Sequence, residues 1–248
     1  MSAAASVAFL AVLAAWPAIA LAQAPEFPLP PKTWDSPVAD MRPFSMVLLD
    51  RLEYQVRSGA NGWLWDGAAW FGGDFNKVWL KSEGESTTGE GTQSADVQVL
   101  YARRISPYWY VQAGARNEVR PSPSRTTGVL AIQGLAPYWF NVQASAFLGR
   151  GLSGRVEAEY DQLITQRLVL QPRLETNFST TSDHDRGEGA GLRDLELGLT
   201  LRYEIRREIA PYIGVSWRRK FGTTASLSRQ QGENPGETAI TLGIRLWY

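Results

Sequence analysis

From Met46 to the C-terminus, apolar and polar residues alternate with a period of two. The last ten residues are the clearest case, because one set of alternate positions is wholly apolar or aromatic. That set is Ile240, Leu242, Ile244, Leu246 and Tyr248, and it alternates with Ala239, Thr241, Gly243, Arg245 and Trp247. Since successive side chains of a strand point to opposite faces, the pattern predicts a strand with one apolar face. The same periodicity predicts about twelve strands in the chain.

Charges occupy the second face of several predicted strands. In residues 195–205, leucines alternate with a set that includes Glu196, Arg202 and Glu204. A soluble β-sandwich with solvated outer faces is one interpretation. The other is a transmembrane barrel, in which the apolar faces meet lipid and the charged faces line the lumen. The lumen-facing residues would then include Lys77, Lys81, Glu83, Glu85, Arg155, Glu157, Glu159 and Asp161.

Two segments precede the alternating region. Residues 1–22 are apolar and end in Ala20-Leu21-Ala22, which is typical of a secretory signal peptide cleaved before Gln23, although an uncleaved helical anchor is the competing interpretation. Residues 23–45 contain six prolines and predict an extended periplasmic tail. A signal peptide combined with an alternating strand that ends in an aromatic residue favours the barrel. We therefore predict an all-β protein, a transmembrane antiparallel up-and-down β-barrel over residues 46–248, in the outer membrane of a Gram-negative bacterium.

Connection lengths predict the orientation, because outer-membrane barrels have short periplasmic turns and longer outer loops. Short connections are predicted near 72–75, 105–107, 135–137, 161–165 and 207–211, and longer ones near 86–93, 117–125, 178–192 and 222–237. Aromatic residues beside the short turns predict an interfacial girdle at that end. Its members would be Trp70, Phe71, Tyr108, Trp109, Tyr138, Trp139, Tyr203, Tyr212 and Tyr248.

Composition narrows the function. The 25 Lys and Arg residues balance 25 Asp and Glu residues, so no basic excess favours nucleic acid as a partner. The absence of cysteine excludes disulfides and thiolate metal sites. His184 is the single histidine, and histidine is the side chain that enzymes use most often as a general acid or base. The composition therefore favours a protein that is not an enzyme.

Five ordered blocks of sequence carry a resemblance to a known family. They are residues 73–85, 133–140, 159–172, 191–192 and 201–215, within a region of resemblance that covers roughly 46–248. The chain resembles the outer-membrane copper resistance protein B family. That resemblance implies an outer-membrane barrel that acts in copper tolerance alongside a periplasmic multicopper oxidase and binds or passes copper ions.

The residues offer two candidate sets of copper ligands. One is Asp183-His184-Asp185 in a predicted outer loop, for which an ordinary charged turn is the competing explanation. The other is the lumenal carboxylate set Glu83, Glu85, Glu157, Glu159, Asp161 and Glu204, for which the competing explanation is a salt-bridge network with Lys77, Lys81, Arg155, Arg167 and Arg202. The Met- and His-rich stretch that many family members carry before the barrel is absent here. Copper(I) prefers thioether or thiolate ligands and copper(II) prefers imidazole, so a tight copper site has few ligands in this chain.

The sequence is also compatible with two other functions. A general diffusion pore would use the same barrel without a metal. A barrel lipase or deacylase would need a serine beside a histidine that a carboxylate orients. His184 lies between two acidic residues and near Ser179 and Ser182 in the sequence, although in a predicted loop and not on a strand.

Overall fold

A computed structural model describes residues 43–183, 186–230, 232 and 234–248. The predicted signal peptide and all but the last three residues of the predicted tail lie outside the described residues. The first strand begins at Phe44, two residues before the predicted start of the barrel. Within the described part of the chain, no helix combines the length and apolar character needed to cross a membrane.

The described chain is almost entirely β-structure. Its strands are β1 (Phe44–Arg57), β2 (Gly62–Gly72), β3 (Asn76–Thr87), β4 (Gly91–Ser106), β5 (Trp109–Arg120), β6 (Arg125–Ala136), β7 (Phe140–Leu148), β8 (Leu152–Glu159), β9 (Gln162–Leu163), β10 (Leu168–Ser179), β11 (Gly191–Tyr203), β12 (Ile209–Lys220) and β13 (Gly236–Trp247). A 3-10 turn (Pro137–Trp139) connects β6 to β7, and helix α1 (Gly222–Gln230) lies between β12 and β13.

The strands close into a twelve-stranded antiparallel barrel, as the sequence predicts. Each long strand pairs with its neighbours in the chain, and β1 pairs with β13 to complete the ring. The two-residue β9 continues β8 along β10, so β8 and β9 together form one barrel strand. Tyr248 exchanges two backbone hydrogen bonds of 2.8 Å with Val47, so the C-terminal residue takes part in the closing pair. Closure leaves no unpaired strand edge, which is what a bilayer demands of a spanning sheet.

The two faces of the strands have opposite character. On β13, Ile240 and Leu242 are about half exposed on the outside, while Ala239 and Thr241 are buried inside. On β11, Leu197, Leu199 and Leu201 are exposed, whereas Glu196 and Arg202 are buried. The predicted register of both strands is therefore confirmed.

The barrel has a short-turn end and a long-loop end. The short-turn end comprises connections 73–75, 107–108, 137–139, 164–167 and 204–208, and the long-loop end comprises 58–61, 88–90, 121–124, 149–151, 180–190 and 221–235. The long connections predicted at 178–192 and 222–237 are confirmed. Those predicted at 86–93 and 117–125 are wrong, since only three and four residues lie outside strands there. The strands do not end where the sequence becomes polar, because hydrogen bonds between their backbones continue beyond the apolar belt.

The aromatic girdle at the short-turn end is confirmed in part. Phe71, Tyr108, Tyr138, Trp139 and Tyr203 are exposed there, with Tyr138 and Trp139 in left-handed backbone conformation at the Pro137 turn. Two predicted members face the lumen instead. Trp70 packs against Trp79, and Tyr212 donates a 2.9 Å hydrogen bond to Glu53. Strict alternation is the reason: because Phe71 points to lipid, its neighbour Trp70 must point inward.

Candidate functional site

The lumen is the candidate site, because the strands turn one set of alternate side chains inward and many of these are charged. Arg173 of β10 lies within a group of four carboxylates. Its guanidinium is 2.9 Å from Glu175, 3.0 Å from Glu159 and 3.7 Å from both Glu157 and Glu196. One arginine thus compensates carboxylates on β8, β10 and β11.

Two further arginines extend this ion-pair network around the barrel. Arg51 of β1 lies 2.9 Å from Glu53 and 3.6 Å from Glu196. Arg218 of β12 lies 2.6 Å from Glu196 and 3.1 Å from Glu85, which is on β3. The charges on the second face of the strands therefore pair with one another inside the barrel, in a place where an unpaired ion would be costly.

Glu83 and Glu85, two of the predicted copper ligands, both pair with arginines. Glu83 lies 2.6 Å from Arg155 of β8 and 3.5 Å from Arg116 of β5. Glu85 pairs with Arg218 and also with Arg57 of β1. These two carboxylates join β3 to β1, β5, β8 and β12, none of which is its neighbour in the sheet.

The remaining lumenal candidates fall into two separate places. Glu157 and Glu159 are neighbours on the inner face of β8 and share Arg173. Asp161 and Glu204 lie near the short-turn end, where Arg202 is 3.0 Å from the first and 3.8 Å from the second. The structure therefore does not bring the six predicted carboxylates together at one point.

Only one residue of the predicted loop set is described. Asp183 lies 2.8 Å from Arg125, and the hydrogen bond from that guanidinium holds the pKa of Asp183 below its usual range. His184 and Asp185 lie outside the described residues. Ser179 and Ser182, the serines of the enzyme alternative, both take part in hydrogen bonds with loop backbone: Ser179 donates to the carbonyl of Thr181, and Ser182 accepts from the amide of Ala190.

The cations that pair with the carboxylates differ from those expected. Arg155 and Arg202 are partners as predicted, but within the described residues Lys77, Lys81 and Arg167 form no ion pair with a carboxylate. The partners that sequence reasoning missed are Arg51, Arg57, Arg116, Arg173 and Arg218. The signal for Arg173 was present in the sequence, since Gln171, Arg173, Glu175 and Asn177 occupy alternate positions of one strand.

A cavity of about 730 Å³ occupies the part of the lumen near the long-loop end. Four acidic residues stand side by side on its wall, since Asp66 is the register partner of Glu83, Glu83 of Asp96, and Asp96 of Glu118. Arg116 lies among them, 2.5 Å from Asp96 and 3.4 Å from Glu118. The cavity wall therefore carries both carboxylates and guanidinium groups.

The floor of this cavity is ionic. Arg51, Arg173 and Glu196 line the large cavity and also a second cavity of about 30 Å³, which lies towards the short-turn end. Because the same three side chains bound both spaces, the ion-pair network separates a roomy upper lumen from a nearly filled lower one.

Comparison with known proteins places this barrel among its relatives. The family model described as copper resistance protein B precursor (CopB) matches residues 43–248, which include every strand. The chain belongs to the copper resistance protein B family. It is 44% identical over 205 residues to copper resistance protein B of Escherichia coli, covering 82% of this chain and 69% of that one. It is 41% identical over 206 residues to a copper resistance protein B homolog of Pseudomonas syringae pv. tomato, covering 82% and 70%.

A solved structure supports the fold of this copper resistance protein B family member. The NanC porin aligns with a TM-score of 0.56 over 79% of this chain and 98% of that chain, at 15% sequence identity. At that identity the likeness shows the fold alone, an outer-membrane type of β-barrel.

The lumen of this copper resistance protein B family member holds no preformed metal cluster in its described part. Among those residues, no three side chains of His, Cys, Asp or Glu are arranged to hold a metal ion. Most carboxylates around the cavity pair with arginines, whereas Asp66 and Asp194 form no ion pair within the described residues. An ion entering the cavity would meet hard oxygen donors, most of which already have guanidinium partners.

Proposed function

We propose that the protein acts in copper tolerance at the outer membrane, where its barrel admits copper ions as cargo into the cavity at the long-loop end. Membership of the copper resistance protein B family over the whole barrel is the observation that carries this proposal. The orientation belongs to the same proposal: residues 1–22 direct export and are removed, the tail from residue 23 to the start of β1 lies in the periplasm, and the long-loop end faces outward.

Copper binding in this cavity is weak and exchangeable. Of the six lumenal carboxylates predicted as ligands, Glu83 and Glu85 line this cavity, and each is held by arginines at hydrogen-bond distance. Copper(II) prefers imidazole, and copper(I) prefers sulfur, so carboxylates alone suit neither ion well. Asp183, His184 and Asp185 at the rim offer one imidazole between two acids. Glu157, Glu159, Asp161 and Glu204 lie deeper or nearer the other end, and they act as ion-pair partners before they act as ligands.

The partner in this proposal is a periplasmic multicopper oxidase, which would bind copper tightly and carry out the redox chemistry. The barrel supplies few soft ligands, so tight copper binding and redox chemistry fall to another protein. The isolated barrel should then bind no copper(I) tightly, while tolerance still depends on its lumen.

A complementation series tests the proposal. A strain lacking the gene is compared, for growth in copper, with the same strain expressing the natural protein or a Glu83→Gln, Glu85→Gln double variant. We expect the natural protein to restore tolerance and the double variant to restore it only partly. The matched control is Asp161→Asn with Glu204→Gln, which removes the same charge outside the large cavity.

Barrel abundance in the outer membrane is measured for every strain, so that lost protein is not taken for lost function. If the natural protein does not restore tolerance, the copper role is wrong. If the cavity double variant restores tolerance fully at equal abundance, Glu83 and Glu85 are structural salt-bridge partners only. Titration of the purified barrel with copper(I) and copper(II) is repeated with His184→Ala, which removes the imidazole at the rim, and with Met46→Leu, which removes a thioether sulfur of the kind that copper(I) prefers.

No specific observation favours the two other functions. The ionic floor of the cavity does not suit a wide diffusion pore. The hydrogen bonds of Ser179 and Ser182 to loop backbone do not suit a nucleophile.

A further inference from the structure

Lys81 of β3 reaches into the lumen and contacts three glutamines on three other strands. Its Nζ lies 2.8 Å from Oε1 of Gln143 on β7, 3.3 Å from Oε1 of Gln133 on β6 and 3.4 Å from Oε1 of Gln112 on β5. We call these four residues the amide cage.

The amide oxygens of the cage are oriented by further hydrogen bonds. Gln112 donates its Nε2 to Oε1 of Gln133 at 2.9 Å, and Gln143 donates its Nε2 to Oγ of Ser145 at 3.3 Å. Gln112 is almost fully buried. The amide nitrogens of Gln112 and Gln143 thus donate to neighbouring side chains, while the amide oxygens of all three glutamines accept from the ammonium. This arrangement of oxygens suits a cation.

The charge of Lys81 is not neutralised by its contacts. Among the described residues, no carboxylate lies within 4 Å of its Nζ, whereas Arg173, in the same lumen, lies within 4 Å of four. The amide dipoles add no charge of their own. The carboxylates that act on Lys81 do so from beyond 4 Å; they are Glu157, Asp66 and Glu83, of which Glu157 and Glu83 are paired with arginines. In a space with little water the field of the ammonium repels other cations strongly.

Lys81 also lies below the cavity on its own strand. The inward side chains of β3 run Glu85, Glu83, Lys81 towards the short-turn end, and the cavity lining includes the two glutamates but not the lysine. An apolar cluster of Leu100, Val129, Ala131 and Phe147, with Trp79 packed on it, fills the same side of the lumen. The described residues leave little room beside the cage for a hydrated ion.

We propose that Lys81 is the residue that stops cations below the cavity, so that copper is received on the long-loop side and does not run freely through the lumen. This inference rests on the proposed function, because it names the position in the barrel where the cargo halts. The ligand class that Lys81 excludes is any small cation.

Ion selectivity measured without copper tests this proposal separately from the tolerance role. The full mature barrel is reconstituted in KCl-loaded lipid vesicles, and the ratio of the K⁺ release rate to that of protein-free vesicles is measured with a potassium electrode, with Cl⁻ release followed in parallel. We expect Lys81→Met to raise this ratio roughly tenfold, since a fixed positive charge at the constriction is removed. Lys81→Arg retains the charge and should stay near the natural protein.

Two variants keep the test decisive. Gln143→Glu places a carboxylate beside the intact ammonium and should raise the ratio in the same direction as Lys81→Met. Lys77→Met is the matched control, because Lys77 lies over the Trp70 and Tyr110 rings, at 4.0 and 5.0 Å, outside the amide cage. Folding of each variant is checked by heat-modifiable migration on gels. An unchanged ratio in both Lys81→Met and Gln143→Glu, or an equal change in Lys77→Met, would overturn the proposal.

Discussion

Two parts of the same lumen hold their charges in different ways. On the wall formed by β8, β10, β11, β12 and β1, which we call the arginine wall, each guanidinium that the structure describes around Arg173 lies against carboxylates. On the wall formed by β3 to β7 below the cavity, which we call the amide wall, Lys81 is held by glutamine oxygens. The first wall consists of arginines and carboxylates in ion pairs. The second holds an ammonium group that has no carboxylate within 4 Å among the described residues.

This difference distinguishes side chains that stabilise the barrel from side chains that are available for function. A paired network stabilises the barrel as a unit but presents little net field, because each charge is cancelled at close range. A charge held by neutral groups contributes less to stability and more to selectivity.

Arg173→Met should cause the largest loss of stability. It leaves Glu157, Glu159, Glu175 and Glu196 without their shared cation inside the barrel, and breaking a buried ion pair from one side costs about 3 to 5 kcal/mol. The free energy of unfolding of the refolded barrel in urea measures this. Arg173→Lys should recover part of the loss, and a Met variant as stable as the natural protein would refute the network as a source of stability.

The Glu83→Gln, Glu85→Gln double variant should cost less, roughly 2 to 3 kcal/mol, the scale of hydrogen bonds to charged groups. It removes the charged links from β3 to Arg155 and Arg218, but each of these arginines keeps another carboxylate, Glu175 and Glu196 respectively. Urea unfolding of both single variants and the double variant checks whether the two links act independently. A loss as large as that of Arg173→Met would mean that the walls are not distinct.

Lys81→Met should cost only about 1 kcal/mol, because the loss of the charge-assisted hydrogen bonds of the ammonium is offset by no longer burying that charge, and the buried amides can pair with one another in part. The same variant should change ion selectivity strongly. Stability and selectivity are measured on one protein preparation. A loss of several kcal/mol would show Lys81 to be a structural strut and would remove the contrast between the two walls.

The smallest effect should come from the loop pair of Asp183 and Arg125. The pKa of Asp183 is lowered by its hydrogen bond from Arg125, so the pair stabilises the loop above the unfolded pKa and this contribution is lost as the pH falls through the folded value. Amide hydrogen exchange of residues 180–183 and 186–190 should therefore quicken as the pH falls below the ordinary aspartate pKa of about 3.9, after correction for intrinsic rates. Asp183→Asn should show no such dependence. An identical pH response in that variant would assign the change to other groups.

The strands and their faces could be predicted from the sequence because period-two alternation is a local property. Leu199 and Glu196 were assigned to the correct faces from their spacing alone. The connections at 86–93 and 117–125 were predicted too long, because polar residues there still belong to the strands, which continue up to the turns marked by Gly89 and Gly91 and by Pro121 and Pro123. Trp70 and Tyr212 were misplaced because an aromatic residue beside a turn suits either an interface or a packed lumen.

The family, the all-β barrel and the set of inward-facing side chains all follow from the amino-acid sequence. Which of those side chains contact one another follows from the folded barrel. Glu83 and Arg155 are 72 positions apart, and Lys81 and Gln143 are 62 apart, so no local pattern joins them. The reason is geometric: alternation specifies the direction of each side chain, whereas strand register and the curvature of the closed sheet decide which residues face each other inside it.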